Sequence, residues 1–217
     1  MTTVHNLGKS NSLINQFVSE LRNVEVQHDR MRFRRNLERI GEIIAYEISK
    51  LLPYKEVEVT TPLGCAIMQI PSEQPVLGTI LRAGLPLHQG LLNYFDHADN
   101  SFISAYRKHH KDGSFEIALE YVSSASLENR TLILCDPMLA TGSSIVMTYK
   151  AMLERGIPRH THLVCAIASS QGIEHVKSHL SENVTIWAAA IDDELTAQSY
   201  IGPGLGDAGD LAFGEKL

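Results

Sequence analysis

The stretch Thr131-Leu132-Ile133-Leu134-Cys135-Asp136-Pro137-Met138-Leu139-Ala140-Thr141-Gly142-Ser143-Ser144 constrains the fold of this 217-residue chain more than any other. A short apolar run ends in an acid, passes through a loop of small residues and opens a helical pattern over residues 144–154. In an open parallel sheet, the carboxyl ends of the strands face the ligand crevice. A loop that enters a helix there offers a phosphate several backbone N–H groups and the positive end of the helix dipole. Thr141, Ser143 and Ser144 add hydroxyl donors. Asp136 would repel a phosphate but suits a ribose, because one carboxylate accepts from two neighbouring hydroxyls. The residues therefore fit a ribose 5-phosphate. A turn in which Thr-Gly-Ser-Ser only caps a helix fits them equally.

The same rhythm runs through most of the chain. Phe33, Leu37, Ile40, Ile44, Ile48 and Leu51 form a three-four apolar stripe on a helix that Pro53 ends. Residues 56–60 and 63–70 read as strands separated by Pro62, and 76–81 as a fully buried strand. A tight turn at Arg82, Ala83 and Gly84 follows, then an apolar helix through Leu87, Leu91, Leu92 and Phe95, and a strand over 101–106. Two further units follow: strand 131–135, helix 144–154 and strand 162–168, then helix 173–180 and strand 184–190. This alternation predicts an α/β fold, an open parallel sheet flanked by helices. Asp112-Gly113 between alternating arms marks a β-hairpin over 108–126. No repeat or linker divides the chain, so one domain is expected: an N-terminal helical arm over 1–53, the hairpin, and a tail over 192–217.

Composition and competing motifs narrow the function classes. With 44% hydrophobic and 20% charged residues the chain is ordinary globular material. Nineteen basic against 25 acidic residues, a net charge of -6, disfavour stable binding of nucleic acid. No apolar stretch reaches the roughly 20 residues of a membrane span, and no secretory signal opens the chain, so the cytoplasm is expected. Cys65, Cys135 and Cys165 read as buried thiols. His160 and His162 read as a surface pair rather than a metal site, and Trp187 as a core residue. Arg30, Arg32, Arg34, Arg35 and Arg39 read as a solvated helix face. No GxxxxGK[ST] loop is present. Gly204-Leu205-Gly206-Asp207-Ala208-Gly209 matches GxGxxG but lacks room for the helix and later strand of a dinucleotide fold; a bare-backbone wall against a small ligand and a tail of no function both remain open.

Residues 136–144, in the spelling DPMLATG, resemble the phosphoribosyl diphosphate (PRPP) motif of the type I phosphoribosyltransferases, in particular the uracil phosphoribosyltransferase family. Ile80-Leu81-Arg82-Ala83-Gly84-Leu85-Pro86 is similar to that family's diphosphate loop, and residues 200–210 to its C-terminal uracil loop. The resemblance covers the chain from about residue 45 onward. It implies a type I phosphoribosyltransferase-like fold and transfer of the phosphoribosyl group of PRPP to uracil, giving UMP and diphosphate in pyrimidine salvage. It also implies catalytic roles for Asp136, Asp207 and Arg107. Arg82 and Arg107 would hold the diphosphate and Asp136 the ribose. Pro137, Met138, Leu139, Ala140, Thr141, Gly142, Ser143 and Ser144 would form the 5'-phosphate loop. Ile201, Gly206, Asp207 and Ala208 would line the uracil site, with Asp207 also beside PRPP and a Mg²⁺ ion carried mainly by PRPP. Partners would be PRPP, uracil and further copies of the chain in a homodimer or higher oligomer; a nucleotide effector such as GTP stays open. Ser143 stands where the family more often has glycine, Gly202 where it usually has valine, and Lys108-His109-His110 replaces its Asn or Asp followed by Glu. Hairpin 108–126 fits either a lid over the reacting ribose or a static element. A PRPP-fold regulator that binds RNA, and an enzyme of the same fold acting on another base, are the competing functions.

Overall fold

The computed structural model describes residues 2–109, 115–180 and 182–215, with the main chain only over 105–109 and 115–119. Its elements in chain order begin with β1 (Thr3–Asn6), α1 (Leu13–Arg22), α2 (Arg30–Ser49), β2 (Tyr54–Thr61), β3 (Gly64–Pro71), β4 (Val76–Leu81) and α3 (Leu85–Leu92). There follow β5 (Asp99–His109), β6 (Phe115–Ser123), β7 (Thr131–Cys135), β8 (Met138–Leu139), α4 (Ser143–Met152), β9 (His160–Ser169), α5 (Ser170–His179) and β10 (Val184–Asp192). Short strands β11 (Glu194–Leu195) and β12 (Ile201–Gly202) precede α6 (Ala208–Phe213).

The central sheet runs β1-β10-β9-β7-β4-β5-β6, with β8 alongside β9. Every neighbouring pair is parallel except β5 and β6. Both faces are covered, which is why the strands read as continuous apolar runs. Along β7, Ile133 and Cys135 enter the core shared with α1, α2 and α3, while Leu132 and Leu134 enter the one shared with α4 and α5. The chain passes from β4 to β5 on one side and then crosses to β7 on the other. The carboxyl ends of β4 and β7 therefore flank the topological switch point, where open α/β sheets bind ligands.

The arm packs on this frame as the periodicity predicts. Asp29 caps α2 by accepting the Arg32 N–H, and Phe33, Leu37, Ile40, Ile44 and Ile48 are all buried. Leu51 breaks the stripe: α2 stops at Ser49, the helical phase is lost, and Leu51 is 58% exposed while Leu52 takes the inward position. At Gly41 and Gly90 the backbones of α2 and α3 approach so closely that a Cβ at Gly41 would lie 2.4 Å from the Leu87 carbonyl oxygen.

The arm is not wholly helical. Thr3–Asn6 adds a strand to the sheet edge beside β10, too short to show a period; His5 stacks on Trp187 at 4.0 Å between ring centroids. The tail, expected to lack room for the helix and later strand of a dinucleotide fold, ends in the short α6, capped by Asp207 and covered by α2. No strand follows α6 among the described residues, so the dinucleotide reading still fails. Cys65 is exposed, against expectation, because β2 and β3 form an antiparallel hairpin off the central sheet. No described helix is long and apolar enough to cross a membrane.

His160 and His162 are not a surface pair. His162 is 3% exposed and its Nδ1 accepts the Trp187 Nε1–H at 3.1 Å, while His160 Nε2 and Thr185 Oγ1 lie 2.9 Å apart. Burial, with His160 and His5 as neighbouring imidazoles, pushes His162 down to about 3. The unfolded chain thus takes up a proton below the ordinary histidine range that the folded chain refuses. The stabilisation is complete above pH 6.5 and is lost as pH falls toward the folded value. Urea unfolding at pH 6.5 and pH 5 is expected to show about 2 kcal/mol more loss in the parent than in His162→Gln, which cannot titrate. Equal losses would remove His162 as the cause.

Candidate active site

Three loops meet at the switch point. The first follows β4, whose register places Thr79 beside Cys135 of β7. It turns through Arg82 and Ala83 to Gly84, where a Cβ would lie 2.2 Å from Thr79 Oγ1 and 3.2 Å from the Cys135 carbonyl oxygen. Only a residue without a side chain lets this turn lie against β7. Pro86 near the start of α3 suits a first helical turn, where no N–H is needed.

The second loop begins at Asp136, half-buried at the end of β7. Its N–H donates to the Val164 carbonyl and its Oδ1 accepts the Met138 N–H at 3.4 Å. The segment expected to be loop throughout is partly sheet: Met138 and Leu139 pair with Ile167 and Ala168 of β9, and the Leu139 side chain is 1% exposed. Pro137 accepts the Ala166 and Ile167 N–H groups through its carbonyl, so Pro137 and Leu139 anchor the loop in the sheet. The free-standing part is Ala140–Ser144. Ser169 Oγ fixes the Ala140 carbonyl at 2.6 Å, Thr141 Oγ1 lies 3.1 Å from Ser143 Oγ, and Gly142 starts α4 with φ +78°. A Cβ at Gly142 would stand 2.8 Å from the Gly172 carbonyl oxygen, so both conformation and space require glycine. The N–H groups of a first helical turn have no acceptor in the helix and face this loop.

The third loop is the tail. Ile201, Leu205 and Ala208 are buried, Gly206 is exposed with φ +97°, and Asp207 Oδ1 accepts the Gly209 and Asp210 N–H groups. Arg82 joins this loop to the first: its Nη2 donates at 2.6 Å both to Asp210 Oδ1 and to the Gly214 carbonyl. The Arg82 Nε–H is buried with no acceptor among the described residues. Asp136, Arg82, the 140–144 turn and the 206–210 segment, far apart in sequence, thus stand at the carboxyl ends of adjacent strands. Arg107 pairs by its main chain with Ile117, but its side chain lies outside the described residues, as does the Asp112-Gly113 turn.

Several residues that shape the site were not singled out by sequence. Arg30, Arg32 and Arg35 of α2 are exposed as expected, Arg32 pairing with Glu20 and Arg35 with Glu38 at the surface, but Arg34 turns inward: it donates to the Ala212 carbonyl at 2.7 Å and lies over the Phe213 ring, docking α6. Asp192, like Asp136 an acid that ends an apolar strand, carries the same sequence signal. Cys135, beside Asp136, is pushed up to about 12 by burial and serves as an inert spacer. Among the described residues no group of three or more His, Cys, Asp or Glu side chains forms a metal cage.

Residues 9–215 match the family model described as uracil phosphoribosyltransferase. A uracil phosphoribosyltransferase of Porphyromonas gingivalis is 53% identical over 217 residues, all of both chains. The solved structure of the AQ2163 protein of Aquifex aeolicus is 28% identical, covers 98% of each chain and superposes with a TM-score of 0.86. The Mycobacterium tuberculosis orotate phosphoribosyltransferase in complex with PRPP, 13% identical, shares the fold at a TM-score of 0.51 over 86% of this chain and 95% of its own. With its full length aligned and the three loops at one crevice, the chain belongs to the uracil phosphoribosyltransferase family.

Proposed function

We infer that the protein transfers the 5-phosphoribosyl group of PRPP to N1 of uracil, giving UMP and diphosphate. Beyond family membership, one observation carries the reading. Arg82 of the loop after β4 touches Asp210 of the tail, so a diphosphate site and a base site share the crevice that Asp136 lines. The C1'–O bond breaks with its electron pair leaving on diphosphate as N1 bonds to C1', the N1 proton of uracil passes to water, and the ribose goes through an oxocarbenium-like state. The protein's task is to hold and align. Asp136 accepts the ribose hydroxyls and offsets the positive charge growing on the ring. The 140–144 turn takes the 5'-phosphate on backbone N–H groups and hydroxyls, and the partly exposed Arg82 takes the diphosphate, joined by Arg107. Main-chain groups of Ile201, Gly206 and Ala208 read uracil. Mg²⁺ fits as an ion brought in by PRPP, since it commonly binds through one or two carboxylates plus phosphates, and half-buried Asp207 would supply a carboxylate. Bound there, it would neutralise charge on the leaving diphosphate.

A second copy of the chain completes the molecule. The β2–β3 hairpin presents Val59, Met68 and Ile70 on one exposed face, and a lone two-stranded hairpin is marginal in water.

Incubation with PRPP, Mg²⁺ and each of uracil, cytosine, hypoxanthine and guanine is expected to yield nucleotide with uracil alone. Turnover of another base in its place would favour a different member of the fold, and no turnover with any base would favour a regulator. Arg82→Ala should raise the KM for PRPP tenfold or more, since a charge-assisted contact contributes about 1.5 to 3 kcal/mol. Unchanged PRPP kinetics would move the diphosphate contact elsewhere.

A further inference from the structure

The N-terminal arm reaches the base loop through an ion pair that none of the assigned roles uses. Arg22, the last residue of α1, and Asp192, the last residue of β10, form a two-pronged pair: Nη1 to Oδ2 at 2.7 Å and Nη2 to Oδ1 at 2.8 Å. The pair also holds both main-chain groups of Gly204. Arg22 Nη1 donates to the Gly204 carbonyl at 2.9 Å, and the Gly204 N–H donates to Asp192 Oδ2 at 2.9 Å. Buried Gln27, just past α1, adds a third hold, its Nε2 donating to the Leu21 carbonyl at 2.9 Å and the Leu205 carbonyl at 3.2 Å. Gly204 and Leu205 immediately precede Gly206, Asp207 and Ala208.

A loop that selects its ligand through main-chain groups has no side chain to adjust. Its selectivity depends on where the backbone is held, and misplacement by about an ångström can cost about a hundredfold in rate. The Asp192 side chain is only 8% exposed and Arg22 24%, so the clamp is shielded from water and salt. Burial alone would raise the Asp192 carboxyl, yet Arg22 and the Gly204 N–H hold it below the usual carboxylate range. The fork matters as well as the charge. A lysine can reach Asp192 but cannot keep two parallel bonds to the carboxylate while also donating to Gly204.

We propose that Arg22, Asp192 and Gln27 are positioning residues for base recognition, a clamp that sets the main chain of Gly204 and Leu205 and thereby the distance from Gly206–Ala208 to uracil. The proposal rests on the reading that this tail holds uracil. It gives the N-terminal arm a task in specificity, and no clamp residue belongs to the loops after β4 or β7, which hold the ribose, the 5'-phosphate and Arg82.

The test compares KM for uracil and for PRPP, kcat, and turnover of cytosine in the parent, Arg22→Lys and Asp192→Asn, with Gly206→Val alongside. Both clamp substitutions keep size and polarity, so a folded variant is available even if Arg22→Ala does not fold. The expected result is a rise of about tenfold in the KM for uracil, a PRPP KM within about twofold of the parent, and a narrowed preference for uracil over cytosine. If the clamp variants keep the parent's uracil KM, or if both KM values rise together, the positioning role is wrong and the pair only stabilises the fold. If Gly206→Val itself binds uracil normally, the assignment of the tail to uracil fails, whatever the clamp variants do.

Discussion

Asp136→Asn is expected to lower kcat by about 2 to 3 kcal/mol of barrier while leaving the fold intact. The substitution keeps the shape and retains an oxygen that can accept the Met138 N–H, so the turn after β7 has no reason to change. It removes the negative charge beside the ribose and one of the two oxygens that accept its hydroxyls. The charge is needed most when the C1'–O bond has lengthened and the ring has become positive, so the loss falls on kcat more than on the KM for PRPP. The neighbouring Cys135 thiol, held protonated by burial, cannot take over. Steady-state rates with both substrates varied, beside a thermal melt, check this; a variant with the parent's kcat would take the ribose role away from Asp136.

The larger discrimination is expected at the tail. Uracil presents two carbonyl acceptors and an N–H donor, and cytosine sets an amine donor where one of those acceptors was. A site built from main-chain hydrogen bonds should prefer uracil by about 10⁴-fold, because the wrong base leaves buried polar groups unpaired. Gly206 is the position to probe. A Cβ there would have no protein atom nearer than Leu211 Cδ1 at 3.9 Å, so the methyl groups of Gly206→Val would occupy open space beside the main-chain groups assigned to uracil. Affinity for uracil should collapse by about a hundredfold or more while PRPP still binds. Gly206→Ala carries the same strain of φ +97° with less bulk and separates strain from blockage. Isothermal titration with PRPP and initial rates against uracil and cytosine measure both sides; undiminished uracil affinity in Gly206→Val would place recognition outside this tail.

The strand–loop–helix units were legible because two-sided burial leaves long apolar runs, and β7 begins and ends where those runs predict. Asp136 was legible for the same reason: an acid closing an apolar run at a strand end has no place in the core. Three departures lie where a single tertiary partner outweighs local pattern. Thr3–Asn6 carries no period of its own and becomes a strand only because β10 offers an edge and Trp187 a stacking surface for His5. His162 reads as a surface residue until Trp187 gives its ring a donor. The arginines of α2 read as solvated, yet Arg34 docks the tail helix.

By itself, then, the sequence determined the parallel sheet covered on both faces and the acid and small-residue turn that close β7, because burial periodicity and side-chain type are local properties. Its family resemblance supplied the choice of uracil, which no period or spacing contains. Tertiary structure alone decided which distant groups meet: Arg82 with Asp210 across 128 residues, and Arg22 with Asp192 and Gly204 across 170 and 182. Such pairs leave no mark in the local sequence, since an arginine and an aspartate far apart look the same whether they face water or each other. The placing of β4 between β5 and β7 sets Arg82 beside the Asp136 loop, and the packing of α1 against β10 sets Arg22 beside Asp192.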